Sequence, residues 1–205
     1  MFGIEYQIKI NKAELQWLKP LLEGWLRVHR DYLEANDCTD SLYWYNERAN
    51  IGALAGAIWR SGGYALEEYG AVKGKGADAS MGRVDLFFQY AGQNVAVEAK
   101  QKWVKLIGSN SCDFESLIAE SIADAVKDIK RTQDSSGHDS GLGIAFLPTY
   151  SKSIENENKS MRNYCDAIEL TNCDFYVWMK NVTGKSLVSS KNNHCNAIAL
   201  VGVMV

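Results

Sequence analysis

Two neighbouring strand-like stretches, Gly82 to Tyr90 and Asn94 to Gln101, constrain this chain more than any other feature. The segment Ala91-Gly92-Gln93-Asn94 between them is short enough for a hairpin. Nowhere else do acidic and basic groups interrupt apolar β-type sequence: Asp85 stands in the first stretch, Glu98 and Lys100 in the second. Strand side chains alternate, so Glu98 and Lys100 share a face while Val95, Val97 and Ala99 take the other. A two-residue turn at Gly92-Gln93 sets Ala91 against Asn94 and Asp85 against Lys100. The three ionisable groups then converge, with Asp85 and Glu98 diagonal neighbours at roughly 7–8 Å, within reach of a shared cation. A register displaced by one residue sends Asp85 to the opposite face, so the convergence requires this parity.

The rest of the chain frames that hairpin. Its 205 residues fit one domain, 1–205, and support a substantial core. Phe2, Ile4, Tyr6, Ile8 and Ile10 alternate with Gly3, Glu5, Gln7 and Lys9, a half-buried strand. Asn11-Lys12-Ala13-Glu14 resembles a capping box, and Pro20 kinks or restarts the helix that follows. A second helix is expected over Ser41 to Arg60, with Trp44, Glu47, Ile51, Leu54 and Ile58 on one stripe. Glu47 is then either a core-facing carboxylate in need of a cation or a salt-bridging residue at the stripe's wet end.

Gly62-Gly63 ends this helix, and Tyr64 to Tyr69 reads as a strand. Gly70 to Gly82 reads as a flexible loop carrying Lys73 and Lys75, with Arg83 just beyond. It lacks the GxxxxGK[ST] pattern of a phosphate-binding P-loop. A helix is expected over Asp113 to Thr132, its apolar stripe Phe114, Ile118, Ile122, Ala125 and Ile129, with Asp124, Asp128 and several cations on the other side. Leu142 to Leu147 reads as a buried strand closed by Pro148, and Ser151 to Lys159 as a surface loop. Met161, Tyr164, Cys165 and Ile168 mark a short helix, and Phe175–Met179 and Ala197–Val205 two late strands. The fold class is α/β (α+β), a mixed central sheet flanked by helices.

Charge and cysteine usage narrow the partners. The net charge of −3 gives no global attraction to nucleic acid, so any phosphate-binding surface is local. The apolar run Ala197–Val205 is too short to span a bilayer, and no membrane partner is expected. Five cysteines without a CxxC pair, and no signal peptide, fit reduced thiols in the cytoplasm. Cys165, Cys173, His194 and Cys195 match no zinc-module spacing, and buried structural cysteine accounts for them. His29, near the end of a helical stretch, is explained by the helix terminus, and His138 by a loop. Neither has a Ser-His-Asp or Cys-His signature.

Two converging carboxylates make a hard-oxygen site suited to Mg²⁺ or Mn²⁺, with the Ala99 carbonyl as a third ligand. Such an ion polarises a phosphoryl oxygen and acidifies bound water, and a neighbouring lysine stabilises the developing charge. Acid-x-Lys spacing also occurs in Asp128-Ile129-Lys130 and Glu157-Asn158-Lys159, but the first lies in helical sequence and the second in a polar loop. Positions i and i+2 of a helix do not share a face.

The order of helix with Glu47, strand with Glu67 and Glu68, Gly82-Arg83-Val84-Asp85, hairpin, Val97-Glu98-Ala99-Lys100, helix and strand resembles the core of the PD-(D/E)xK nuclease superfamily over about residues 41–150. Val84 replaces the proline that precedes the acid in the family pattern. The resemblance implies a restriction-endonuclease-like fold, Asp85 and Glu98 as metal ligands, Lys100 as the catalytic lysine and Glu47 as an accessory acid. Gln101 resembles a polar residue that follows the lysine in many members. The implied function is Mg²⁺-dependent (or Mn²⁺-dependent) endonuclease activity on DNA rather than RNA. Lys73, Lys75, Arg83, Lys102 and Lys105 are the expected substrate contacts. Trp103, after Lys102, is placed to stack on a base were the substrate single-stranded RNA. Double-strand cutting would call for two sites and hence a homodimer. Two other readings remain: a catalytically inactive binding or regulatory module on the same scaffold, and a charged hairpin with an Asp85–Lys100 cross-strand pair.

Overall fold

Alternating apolar residues at the start of the chain form β1 (Ile4–Ile10). A 3₁₀ turn over Ala13–Leu18 then leads into α1 (Lys19–Ala35), which Pro20 opens from its first turn, where no N–H is needed. The computed structural model describes residues 3–74, 76–106, 114–136, 140–153, 157–183 and 187–205. Phe2, Lys75, Cys112, Asp113 and His138 lie outside them. The capping box expected at Asn11 does not form; the Asn11 amide donates instead to the Cys173 carbonyl, 2.8 Å away.

The second helix is shorter than its stripe suggested. Leu42–Trp44 is a 3₁₀ turn, and α2 runs over Glu47–Arg60. Asn46 is its N-cap, accepting from the Ala49 N–H, so the polar cap overrides the apolar spacing of Trp44. Glu47 therefore stands in the first helical turn. Beyond α2 come β2 (Tyr64–Lys73), β3 (Ser80–Tyr90), β4 (Gln93–Gln101), β5 (Val104–Lys105), α3 (Phe114–Ser136), β6 (Ser140–Tyr150), α4 (Glu157–Leu170), β7 (Phe175–Asn181) and β8 (Ala197–Met204).

The strands form one mixed eight-stranded sheet in the order β1-β7-β8-β6-β4-β3-β2, with β5 beside β6. β4 and β6 are parallel and joined through α3, a crossover that parallel pairing demands. Helices α1 and α2 cover one face through Leu21, Trp25, Leu26, Leu54 and Ile58. Helices α3 and α4 cover the other through Ile118, Ile122, Tyr164 and Ile168. Among the described residues no helix is long and apolar enough to cross a membrane.

Three differences from the sequence reading matter here. Gly70–Gly82 is mostly strand: β2 and β3 pair from Tyr64–Gln89 out to Lys73–Ser80, and Lys73 is part of the sheet. Pro148 does not close β6; it pairs with Ile198 inside it. It falls between Phe146, opposite Gln101 of β4, and Thr149, opposite Val104 of β5, so its missing donor coincides with a break in the neighbouring strand. Third, α4 begins at Glu157, and the buried Glu157 carboxylate accepts from the Asn196 amide at 2.7 Å.

His29 is not a helix-terminus residue. It is buried against Trp25 and Tyr43, neither ring nitrogen has a partner among the described residues, and burial pushes its pKa down to about 3. Cys38, Cys165, Cys173 and Cys195 are free thiols.

Gly143 positions α3. It lies beside Glu98 in the β4–β6 register, and a Cβ there would stand 2.8 Å from the Val126 backbone nitrogen. The bare glycine lets the α3 backbone rest on β6, bringing the next turn of α3 over Glu98 and Lys100.

Candidate active site

The hairpin turns at Ala91-Gly92, both with left-handed φ (50° and 76°), rather than at Gly92-Gln93. Two-residue turns of this hand match strand twist, which outweighs the cost of a left-handed alanine. Tyr90 consequently faces Gln93 and Leu86 faces Val97, a register two residues from the one expected. Asp85 comes level with Glu98 instead of Lys100.

The β3–β4 ladder stops at Leu86–Val97, just before Asp85. On the other side, β2–β3 pairing skips Glu68, whose φ of 50° is left-handed. Side-chain alternation breaks here too. Leu86 and Phe88 pack on the α1/α2 face, whereas Val84 packs with Ala96 and Ile129 on the α3 face. Asp85 thus sits where the sheet opens on both flanks. Its Oδ2 reaches into the gap and accepts from the Ala99 N–H at 2.7 Å. The N–H and C=O of a strand residue point to the same edge, so the Ala99 carbonyl also faces β3.

Glu98 and Lys100 lie on the α3 face and take partners the sequence did not announce. The buried Glu98 Oε1 accepts from Thr132 Oγ1 at 2.8 Å and from Lys73 Nζ at 2.6 Å. Lys100 Nζ pairs with Asp128 Oδ2 at 2.5 Å instead of with Asp85. Asp128 and Thr132 are one turn apart on α3, on the flank of its apolar stripe. That flank reads as solvated until the crossover lays it over β4.

Glu47 reaches the same centre from α2. Its carboxyl feels the charges of Asp85, Lys100 and Glu98, and the nearby Gln101 backbone N–H favours its ionised form. The Gln101 side chain is held between elements, accepting from Asn50 at 2.8 Å and donating to the Tyr45 carbonyl at 3.3 Å. A small cavity of about 40 Å³, lined by Glu47, Arg48, Ile51, Glu68 and Asp85, opens beside the Asp85 carboxylate. That is room for a water or a small ion.

The electrostatics are those of crowded acids. Burial raises the carboxyl pKa of Glu47, Asp85 and Glu98 above the usual range, and the negative charge of Asp85 adds to the shift at Glu47 and Glu98. The Ala99 N–H and the Lys100 and Lys73 charges oppose it at Asp85, and the Lys73 hydrogen bond opposes it at Glu98. Burial works against the Lys100 ammonium, but Asp128, Glu47 and Asp85 outweigh it and its pKa is raised.

For an acid with a raised folded pKa, the stabilisation is full below the unfolded value and lost as pH rises through the folded one. Without metal, Asp85→Asn should therefore gain stability relative to wild type as pH rises from about 4 to 8. Thermal unfolding across that range measures the difference. A difference that stays constant with pH would mean the Asp85 pKa is not raised.

Of the expected substrate contacts, Lys102 and Lys105 are exposed. Arg83 pairs with Glu68 at 3.1 Å, and Lys73 points at Glu98 rather than outward. Lys75 is outside the described residues. Among the described residues no three His, Cys, Asp or Glu side chains come close enough to share an ion. By donor chemistry alone, the oxygens that could serve a hard cation here are the Asp85 and Glu98 carboxylates and the Ala99 carbonyl. Compared with known proteins, the chain matches no family model, and no curated protein is significantly similar to it.

Proposed function

We propose that this protein is a divalent-metal-dependent nuclease that hydrolyses phosphodiester bonds, with DNA as its substrate. The observation carrying this reading is the gap in the sheet at Asp85, where Glu47 and Glu98 raise the local negative charge and Lys100 stands alongside. Buried and half-buried acids that destabilise one another's ionised forms favour a bound cation.

In this reading Asp85 and Glu98 would hold Mg²⁺ or Mn²⁺ with the Ala99 carbonyl. When bound, the ion would supply a more acidic water and neutralise charge on the phosphate. Thr132 fixes the Glu98 rotamer through Oε1. Lys73 pairs with the same carboxylate and opposes the burial that raises its pKa. Lys100, exchanging Asp128 for the substrate, places a compact positive charge against the phosphoryl oxygen. Glu47 takes a proton from the attacking water or holds it in line, its raised pKa suiting that exchange.

A second reading, a nuclease-type scaffold that binds without turnover, is favoured by one specific observation. Glu98 and Lys100 each already have a protein ion-pair partner, Lys73 and Asp128.

Incubation of the purified protein with single-stranded, duplex and supercoiled DNA, and with RNA, separates the two. The nuclease reading expects nicking or cutting in Mg²⁺ or Mn²⁺ that stops on chelation. No cutting of any substrate, together with no calorimetric Mn²⁺ binding sensitive to Asp85→Asn, leaves the binding module.

A further inference from the structure

A second concavity, about 620 Å³, opens near the carboxylate site. Its walls come from four segments distant in sequence: Trp44 and Tyr45 ahead of α2, Trp103 between β4 and β5, Tyr150 at the end of β6, and Lys191 and Asn193 in the turns before β8. Four aromatic side chains lining one cavity of this size are suited to a flat ligand.

The rings are fixed in place. Trp103 and Tyr150 meet edge to face with centroids 6.2 Å apart. The Trp44 indole N–H donates to the Cys195 carbonyl at 3.4 Å, and the Tyr45 hydroxyl to Asp40 at 2.8 Å. Lys191 and Asn193 supply the polar part of the lining.

The cleft is coupled to the acids through Gln101. Its backbone N–H favours the ionised form of Glu47, and its side chain donates to the carbonyl of Tyr45, a wall of the cleft. Trp103 follows Lys100 by three residues, no more than roughly 10 Å of extended chain. Lys191, in the lining and exposed, can meet a phosphate, and Lys102, next to Trp103 in sequence, is also exposed.

We propose that this cleft receives an unstacked nucleobase of the strand being cut, stacked on Trp103 and Tyr45. The inference deepens the nuclease reading and rests on it: the substrate class becomes single-stranded or locally unpaired nucleic acid. A base within a duplex cannot reach such a pocket without leaving its stack.

The test is fluorescence anisotropy with a labelled single-stranded oligonucleotide, its duplex, and free nucleoside monophosphates as competitors, with Ca²⁺ in place of Mg²⁺. Wild type should prefer the single strand. Trp103→Ala and Tyr45→Ala should each weaken it about tenfold, within the range of lost base stacking. Trp103→Phe should recover most of the loss, and one abasic position in the strand should reproduce it. Tyr45 is largely exposed, so its variant tests the cleft even if Trp103→Ala fails to fold.

Unchanged affinity in Tyr45→Ala and in a folded Trp103→Ala overturns the inference, as does a monophosphate that competes as tightly as the strand. Metal-dependent cutting that persists alongside unchanged affinity removes the cleft and leaves the nuclease reading. Ring-dependent strand binding without cutting in Mg²⁺ or Mn²⁺ removes the nuclease and leaves a base-binding cleft.

Discussion

Exchanging Asp85 for Asn, or Glu98 for Gln, should cut the rate of DNA cleavage in Mg²⁺ by about 10²–10³-fold or more, the scale of losing one group that stabilises a developing charge. Each change removes an anionic ligand while keeping its shape. At Asp85 the amide oxygen can still accept from the Ala99 N–H, so the opened hairpin survives. Lys100→Ala should fall comparably. Lys100→Arg should not restore the rate, because a planar guanidinium does not replace a compact ammonium held against Asp128. Initial rates on a labelled substrate at saturating Mg²⁺ give the measurement, with circular dichroism to show the fold retained. Full activity in folded Glu98→Gln and Lys100→Ala proteins would remove the metal site from the reaction.

The second large effect concerns stability. Lys73→Met should destabilise the protein by roughly 3–5 kcal/mol near neutral pH, the range for removing one partner of a buried pair. Glu98 is 2% exposed, and without Lys73 only the Thr132 hydroxyl remains of its two described partners. The carboxyl pKa, already raised by burial, rises further. The deficit should therefore be small below the ordinary glutamate pKa and grow as pH climbs through the folded-state value. Urea unfolding at several pH values measures it, and the double variant Lys73→Met/Glu98→Leu should regain much of the loss. A deficit under about 1 kcal/mol at every pH would mean the pair behaves like a surface ion pair.

The strands that apolar patterning decides were readable from sequence: β1 and the two hairpin strands from alternation, β6 and β8 from continuous apolar runs, although β6 extends past Pro148 to Tyr150. The parity placing Glu98 and Lys100 opposite Val97 and Ala99 also holds, since these pack on different faces. What was not readable came from tertiary contact. Ala91 gave no sign of a left-handed turn, because alanine has no preference for that conformation, and the register moved by two residues. Glycines around Lys73 suggested a loop, yet pairing with β3 extended the strand and turned that lysine inward. Asp128 and Thr132 became site residues only because Gly143 lets α3 settle on the sheet.

The left-handed residue at Glu68 bears on how this protein behaves when concentrated. β2 is the outermost strand on its side of the sheet and exposes Tyr64, Leu66 and Val72, with Met81 beside it on β3. An uninterrupted apolar border of that kind invites another chain to zip on and seed fibrils. The kink divides it into Tyr64–Glu67 and Tyr69–Lys73, each shorter than the six or seven residues that such stacking uses. Arg48 and Arg83 gather on the Glu68 carboxylate at the junction, charged gatekeepers on an otherwise sticky rim. The distortion that opens the sheet for Asp85 therefore also guards its border against self-association.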